Sequence, residues 1–104
     1  MRLTKLKPAT VGEILKEEFL EPMEVTVAAL AKHIGVHRNT ISNLLNGRSA
    51  LKPSLAIKLA SAFGNSPEFW LNIQHATDVW ESRMALREVN IQPIVRHEEH
   101  CAFA

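Results

Sequence analysis

Apolar side chains recur along this chain at three- and four-residue intervals between short polar turns, and that rhythm predicts five helices. The first covers about residues 11–20. Thr10 and Glu13 form a T-x-x-E capping box, Ile14, Leu15 and Phe19 supply an inner face, and Pro22 marks the stop. The second covers residues 27–34, with Thr26 as N-cap, Leu30, Ala31 and Ile34 inward, and Gly35 suited to the left-handed position after the helix. The third covers residues 38–45. Ile41, Leu44 and Leu45 face inward and Asn46-Gly47 closes it. The fourth covers residues 55–63, capped by Ser54 and ended by Gly64, with Leu55, Leu59 and Phe63 as its stripe. The fifth covers residues 67–87, with Ser66 as cap and Pro67 in the first turn. Its stripe is Phe69, Ile73, Ala76, Trp80 and Met84. Trp70, Leu71 and Val79 fall outside that stripe, so either two faces are buried or one awaits a partner. Residues 91–95 are expected as a short extended segment that Pro93 restricts to a sheet edge or a loop, with a frayed tail from residue 97.

The fold class is therefore all-α. At 104 residues the chain has the size of one small domain, and 46% hydrophobic residues is too many for a disordered polymer. The expected organisation is an arm over residues 1–9, a helical domain over 10–90 and a tail over 91–104. No apolar run approaches the length needed to cross a membrane. The basic opening residues 1–8 are not followed by an apolar signal core, and the lone thiol, Cys101, cannot form an internal disulfide. A cytoplasmic location is expected.

The net charge of +1 says little about partners, but its distribution says more. Residues 1–24 carry four Lys/Arg and five Glu. Residues 25–67 carry no Asp or Glu, yet hold Lys32, Arg38, Arg48, Lys52 and Lys58. From Glu68 onward three Arg face six acids. An acid-free basic centre is the electrostatic footprint of a polyphosphate partner.

That centre contains the sequence VTVAALAKHIGVHRNTISNLLNG, residues 25–47, which reads as two short helices joined by a turn at Gly35. If Leu30, Ala31, Ile34, Val36, Ile41, Leu44 and Leu45 lock the pair together, the other side of the third helix must face out. It carries Arg38, Asn39, Ser42 and Asn43, with Thr40 at its margin. Arginine matches the acceptors of guanine and asparagine matches adenine. An ordinary solvated helix would hold more Glu and Lys, because Asn and Ser are poor helix formers. His37 occupies the cap position of this helix, where weak capping is expected.

These residues resemble the phage-repressor class of helix-turn-helix domains. The resemblance implies that Arg38, Asn39 and Asn43 read bases, and that Thr40, Asn46, Arg48 and Lys52 meet phosphates. That class often carries Gln at the first position of the second helix, where this chain has Val27. The runs GRSALKPSLAIKLASAFGNSPEFWLNIQHATDVW and TVGEILKEEFLEPM further resemble the HigA group of antitoxins, over roughly residues 8–82. The resemblance implies a homodimer on double-stranded operator DNA in its own promoter. It also implies a HigB-like toxin partner of the RelE class, which cleaves mRNA on the ribosome. The alternative is a stand-alone repressor without a toxin.

Other features weigh less. Trp80 and Met84 are expected near a dimer seam and Trp70 inside the domain, since aromatics and Met favour interface cores. His33 and His37 are separated by Gly35, so no metal pair is expected. His97, His100 and Cys101 lie irregularly spaced in the tail. No Gly-rich phosphate loop or nucleophile motif is present, so neither a catalytic residue nor a cofactor is assigned, and Glu17 and Glu18 read as a solvated face.

Overall fold

The computed structural model describes residues 7–95. Helix α1 has three consecutive parts, regular over Val11–Ile14, π-helical over Leu15–Leu20 and regular again over Glu21–Met23. Helix α2 is Val27–Ile34, α3 is Arg38–Leu45, α4 is Pro53–Phe63 and α5 is Pro67–Ala85. No strand forms among the described residues, and Ile91, Ile94 and Val95 are exposed loop residues rather than a sheet edge. His97, His100 and Cys101 lie outside the described residues.

The capping box of α1 forms in full. Thr10 Oγ1 accepts from the Glu13 N–H at 3.1 Å, and the Thr10 N–H donates to Glu13 Oε1 at 2.9 Å. The π turn explains a spacing that α-helical periodicity misses. Leu15 and Leu20 are both buried although five residues separate them. At about 100° per residue a regular helix would place them on different sides. Widening the turn brings both inside. Pro22 does not stop the helix, contrary to expectation. The turn that its ring would crowd is the widened one, and α1 ends only at Glu24, in the left-handed conformation with φ 56°.

The start of α4 also differs. Lys52, not Ser54, stands at the cap, and Pro53 takes the first turn, where a missing N–H costs nothing. Leu59 is fully buried, with Leu55 and Phe63 half-buried beside Ala56 and Ala60.

One core joins all five helices. Val11, Leu15 and Leu20 of α1 meet Leu30 and Ala31 of α2, Ile41 and Leu44 of α3, Ala56, Leu59 and Ala60 of α4, and Trp70 of α5. Its far end is aromatic. The Phe19 ring lies 4.8 Å from Phe63 and 5.1 Å from Trp70, and Phe69 meets Trp70 edge-on. The Trp70 indole N–H donates to Asn65 Oδ1 at 2.8 Å, which lets the largest core side chain be wholly buried.

The inner face of α5 matches the expected stripe only in part, Ile73 packing against the core and Trp80 being half-buried. Trp70, Gln74 and Thr77 point inward, while Ala76 and Met84 are exposed and Phe69 is 40% exposed. Two of these inward residues are polar, and an apolar stripe cannot reveal them. Gly12 marks the closest approach of α1 to α3. A Cβ there would stand 2.6 Å from the Leu44 carbonyl oxygen and 2.7 Å from that of Leu45.

Candidate nucleic-acid interface

Helices α2 and α3 are joined by a tight turn closed by hydrogen bonds from Gly35, Val36 and Asn39. Thr26 Oγ1 caps α2 by accepting from the Ala29 N–H at 3.0 Å. Gly35, at φ 75°, donates to the Lys32 carbonyl, and Val36 donates to that of Ala31 at 3.0 Å. This pairing closes the helix and turns the chain, and φ in that range is why glycine stands there. The imidazole of His37 does cap α3, its Nδ1 accepting from the Asn39 N–H at 3.1 Å. Val27 is half-buried against the core, so it offers no polar group at the position where the related class often has glutamine.

With Ile41 and Leu44 buried, the opposite side of α3 faces solvent. Arg38, Asn39 and Thr40 are exposed, and Ser42 and Asn43 are half-buried. Helical spacing stacks Ser42 over Arg38 and Asn43 over Asn39. Asn43 therefore stands closer to the body than the other two predicted base readers. The first turns of α3 and α4 carry no acid.

The end of α3 joins the expected base readers to the expected phosphate binders. Gly47, at φ 71°, donates to the Leu44 carbonyl, and the Arg48 N–H donates to the Asn43 carbonyl at 2.8 Å. Asn46, Arg48 and Lys52 are all exposed along the following loop. The N-terminus of α4 has no side-chain cap.

Trp80 and Met84 belong to a different region, the second half of α5. Trp80 is half-buried, with Lys7 Nζ 5.9 Å from its ring centroid, and Met84 is 37% exposed. Leu86 and Val89 beyond it are more than half exposed.

Two residues were not singled out from the sequence. Gly12 sets the contact between α1 and α3. Gln74 reaches from α5 to the loop, its Oε1 accepting the Leu51 N–H at 2.8 Å. No group of three or more His, Cys, Asp or Glu suited to a metal occurs among the described residues. No helix among them is long and apolar enough to cross a membrane.

The two packed helices, the tight turn and the exposed face of α3 define a helix-turn-helix protein, and residues 15–70 match the helix-turn-helix family. The chain is 61% identical over 88 residues to antitoxin HigA-1 of Vibrio cholerae, covering 85% of this chain and 83% of that protein. The structure of a HigA-family addiction module antidote protein from Coxiella burnetii superposes with a TM-score of 0.79. That pair shares 34% identity over 86% of this chain and all of the other. A Pseudomonas aeruginosa antitoxin HigA, solved with the higBA promoter, gives a TM-score of 0.80 at 28% identity, covering 85% of this chain and 99% of its own. The chain belongs to the HigA family of helix-turn-helix antitoxins.

Proposed function

We propose that this protein is the antitoxin of a type II toxin–antitoxin pair. It binds operator DNA as a dimer, represses its own operon and neutralises a HigB-like, mRNA-cleaving toxin. The observation that carries the reading is the exposed, acid-free face of α3, on a backbone that superposes on an antitoxin solved with promoter DNA. Arg38, Asn39 and Asn43 read base edges in the major groove. Thr40, Asn46, Arg48 and Lys52, with the uncapped N-terminus of α4, hold phosphates.

Two copies pair through the second half of α5 around Trp80 and Met84. The apolar surface there supports this pairing, since Met84, Leu86 and Val89 follow one another with large exposed areas. Pairing sets the two α3 helices roughly 34 Å apart, one DNA turn, on an inverted repeat. A cytoplasmic location fits both partners, and no catalysis is assigned.

The test is fluorescence anisotropy of the protein on the DNA upstream of its own gene, at several salt concentrations. A preference of roughly 10³-fold or more over scrambled DNA is expected. No preference at any salt refutes operator binding. For the toxin, co-expression with the neighbouring short reading frame should give a complex that co-purifies. Operator binding without such a complex leaves a stand-alone repressor.

A further inference from the structure

We infer that Gln74, on α5 and outside the recognition unit, is a positioning residue for DNA binding that holds the loop carrying Arg48 and Lys52 in place to meet the phosphate backbone. The inference rests on the operator-binding reading and extends it to a helix that touches no DNA in that reading.

The loop leaves α3 at its cap residue Asn46 and enters α4 at Pro53. Midway, Leu51 buries its side chain in the core, and its N–H donates to Gln74 Oε1 at 2.8 Å. These residues are 23 positions apart. Every other side-chain hydrogen bond among the described residues joins groups five or fewer positions apart. Gln74 is thus the one side chain among them that ties distant parts of the fold together by a hydrogen bond. Its amide is itself fixed, because Gln74 Nε2 donates to Asp78 Oδ1 at 2.8 Å. A charged acceptor strengthens that bond and decides which end of the amide faces Leu51.

Little else supports the loop on this side. A cavity of about 240 Å³ separates Gly47, Arg48, Ser49 and Ala50 from Thr77 and Asp78 of α5. The buried Thr77 hydroxyl in that wall has no hydrogen-bond partner, so it offers the loop no second tie. Arg48 and Lys52 stand three residues before Leu51 and one after it. Their backbone height over the DNA therefore depends on where the Leu51 N–H is held. The recognition residues on α3 are fixed separately, by Ile41 and Leu44. Without the tie, the hold on the phosphates should weaken while base discrimination stays unchanged.

The test uses the full chain on its own upstream DNA. Gln74→Leu removes the acceptor. Operator binding should weaken on the order of tenfold, and the slope of log K against log salt should flatten by about 0.9 for each phosphate no longer neutralised. The ratio between operator and single-base variants should stay parental. Amide exchange at Leu51, followed by NMR, should accelerate. The paired change Gln74→Glu with Asp78→Asn keeps the net charge. The new amide at position 78 donates to the new carboxylate at position 74, whose other oxygen accepts from Leu51. This swap should restore the parental slope, whereas Gln74→Glu alone should not. A folded Gln74→Leu variant with parental affinity and slope overturns the inference, while the parent's operator preference leaves the wider reading standing. If Gln74→Leu does not fold, a Gln74→Glu variant whose Leu51 amide exchanges faster than the parent's while its salt slope stays parental overturns it. A parent with no operator preference overturns the wider reading and this inference together.

Discussion

Replacing Gly12 with alanine tests the packing of α1 against α3. The added Cβ would lie 2.6 Å from the Leu44 oxygen, 2.7 Å from the Leu45 oxygen and 2.9 Å from the Leu45 Cα. All three are backbone atoms, so no side-chain rotation relieves them. Bringing the closest approach from 2.6 Å to 3.4 Å moves α1 outward by about 0.8 Å. That shift loosens the buried Val11 and Leu15, and overpacking of this kind costs about 1–3 kcal/mol. Alanine's better helix propensity offsets at most about 1 kcal/mol, and less in a first turn. The net expectation is a loss of about 1–2 kcal/mol, a fall in Tm of about 5–15 °C for a domain of this size. Thermal melts followed by circular dichroism measure it. Gly47→Ala is the contrast. Position 47 has open space around it and only an unfavourable φ, so its cost is conformational and leaves the α1 packing intact. A Gly12→Ala protein melting at or above the parent would show that helix propensity wins and that α1 does not approach the α3 carbonyls this closely.

Four further outcomes are expected. Arg38→Ala should cost about 1–3 kcal/mol of operator binding and relax one base position, while Arg48→Ala should weaken all sequences alike, both read by anisotropy against single-base operator variants. Glu24→Gly should stabilise the fold by about 0.5–1 kcal/mol in urea titration, because φ 56° strains a residue with a Cβ more than glycine's added freedom costs. His37→Asp should split stability from function. It should raise Tm through a stronger N-cap, yet weaken DNA binding by setting a negative charge beside the phosphates. Met84→Glu combined with Leu86→Glu should yield monomers in sedimentation and abolish binding to a two-half-site operator, leaving the melting curve cooperative; an unchanged dimer would place the seam elsewhere.

Short-range features were legible in the sequence because their causes are local. The Thr10–Glu13 box, the Thr26 cap and the turn at Gly35 each depend on residues within one helical turn, and all three form as expected. The exposed face of α3 followed by elimination once Ile41 and Leu44 were placed inside. What escaped depends on distant partners. The inner face of α5 contains Gln74 because a loop N–H 23 residues away needs an acceptor, and no periodicity encodes that need. Gly12 reads as an ordinary helix position until α3 is laid across it. The weak first turn of α4 misled in another way, since Ser54 looks like a cap although Pro53 before it already fits the helix.

The π turn in α1 has a consequence for how this protein tolerates changes in length. The turn works as one residue more than a regular helix needs between Leu15 and Leu20. Lys16, Glu17 and Glu18, which supply that extra length, are all exposed. Deleting any one of them would leave the two leucines four apart, the spacing at which an ordinary α-helix buries both. Such a deletion, ruinous in most core helices, would here trade one hydrogen-bonding pattern for another. Gly12, where α1 meets α3, lies outside the deleted stretch.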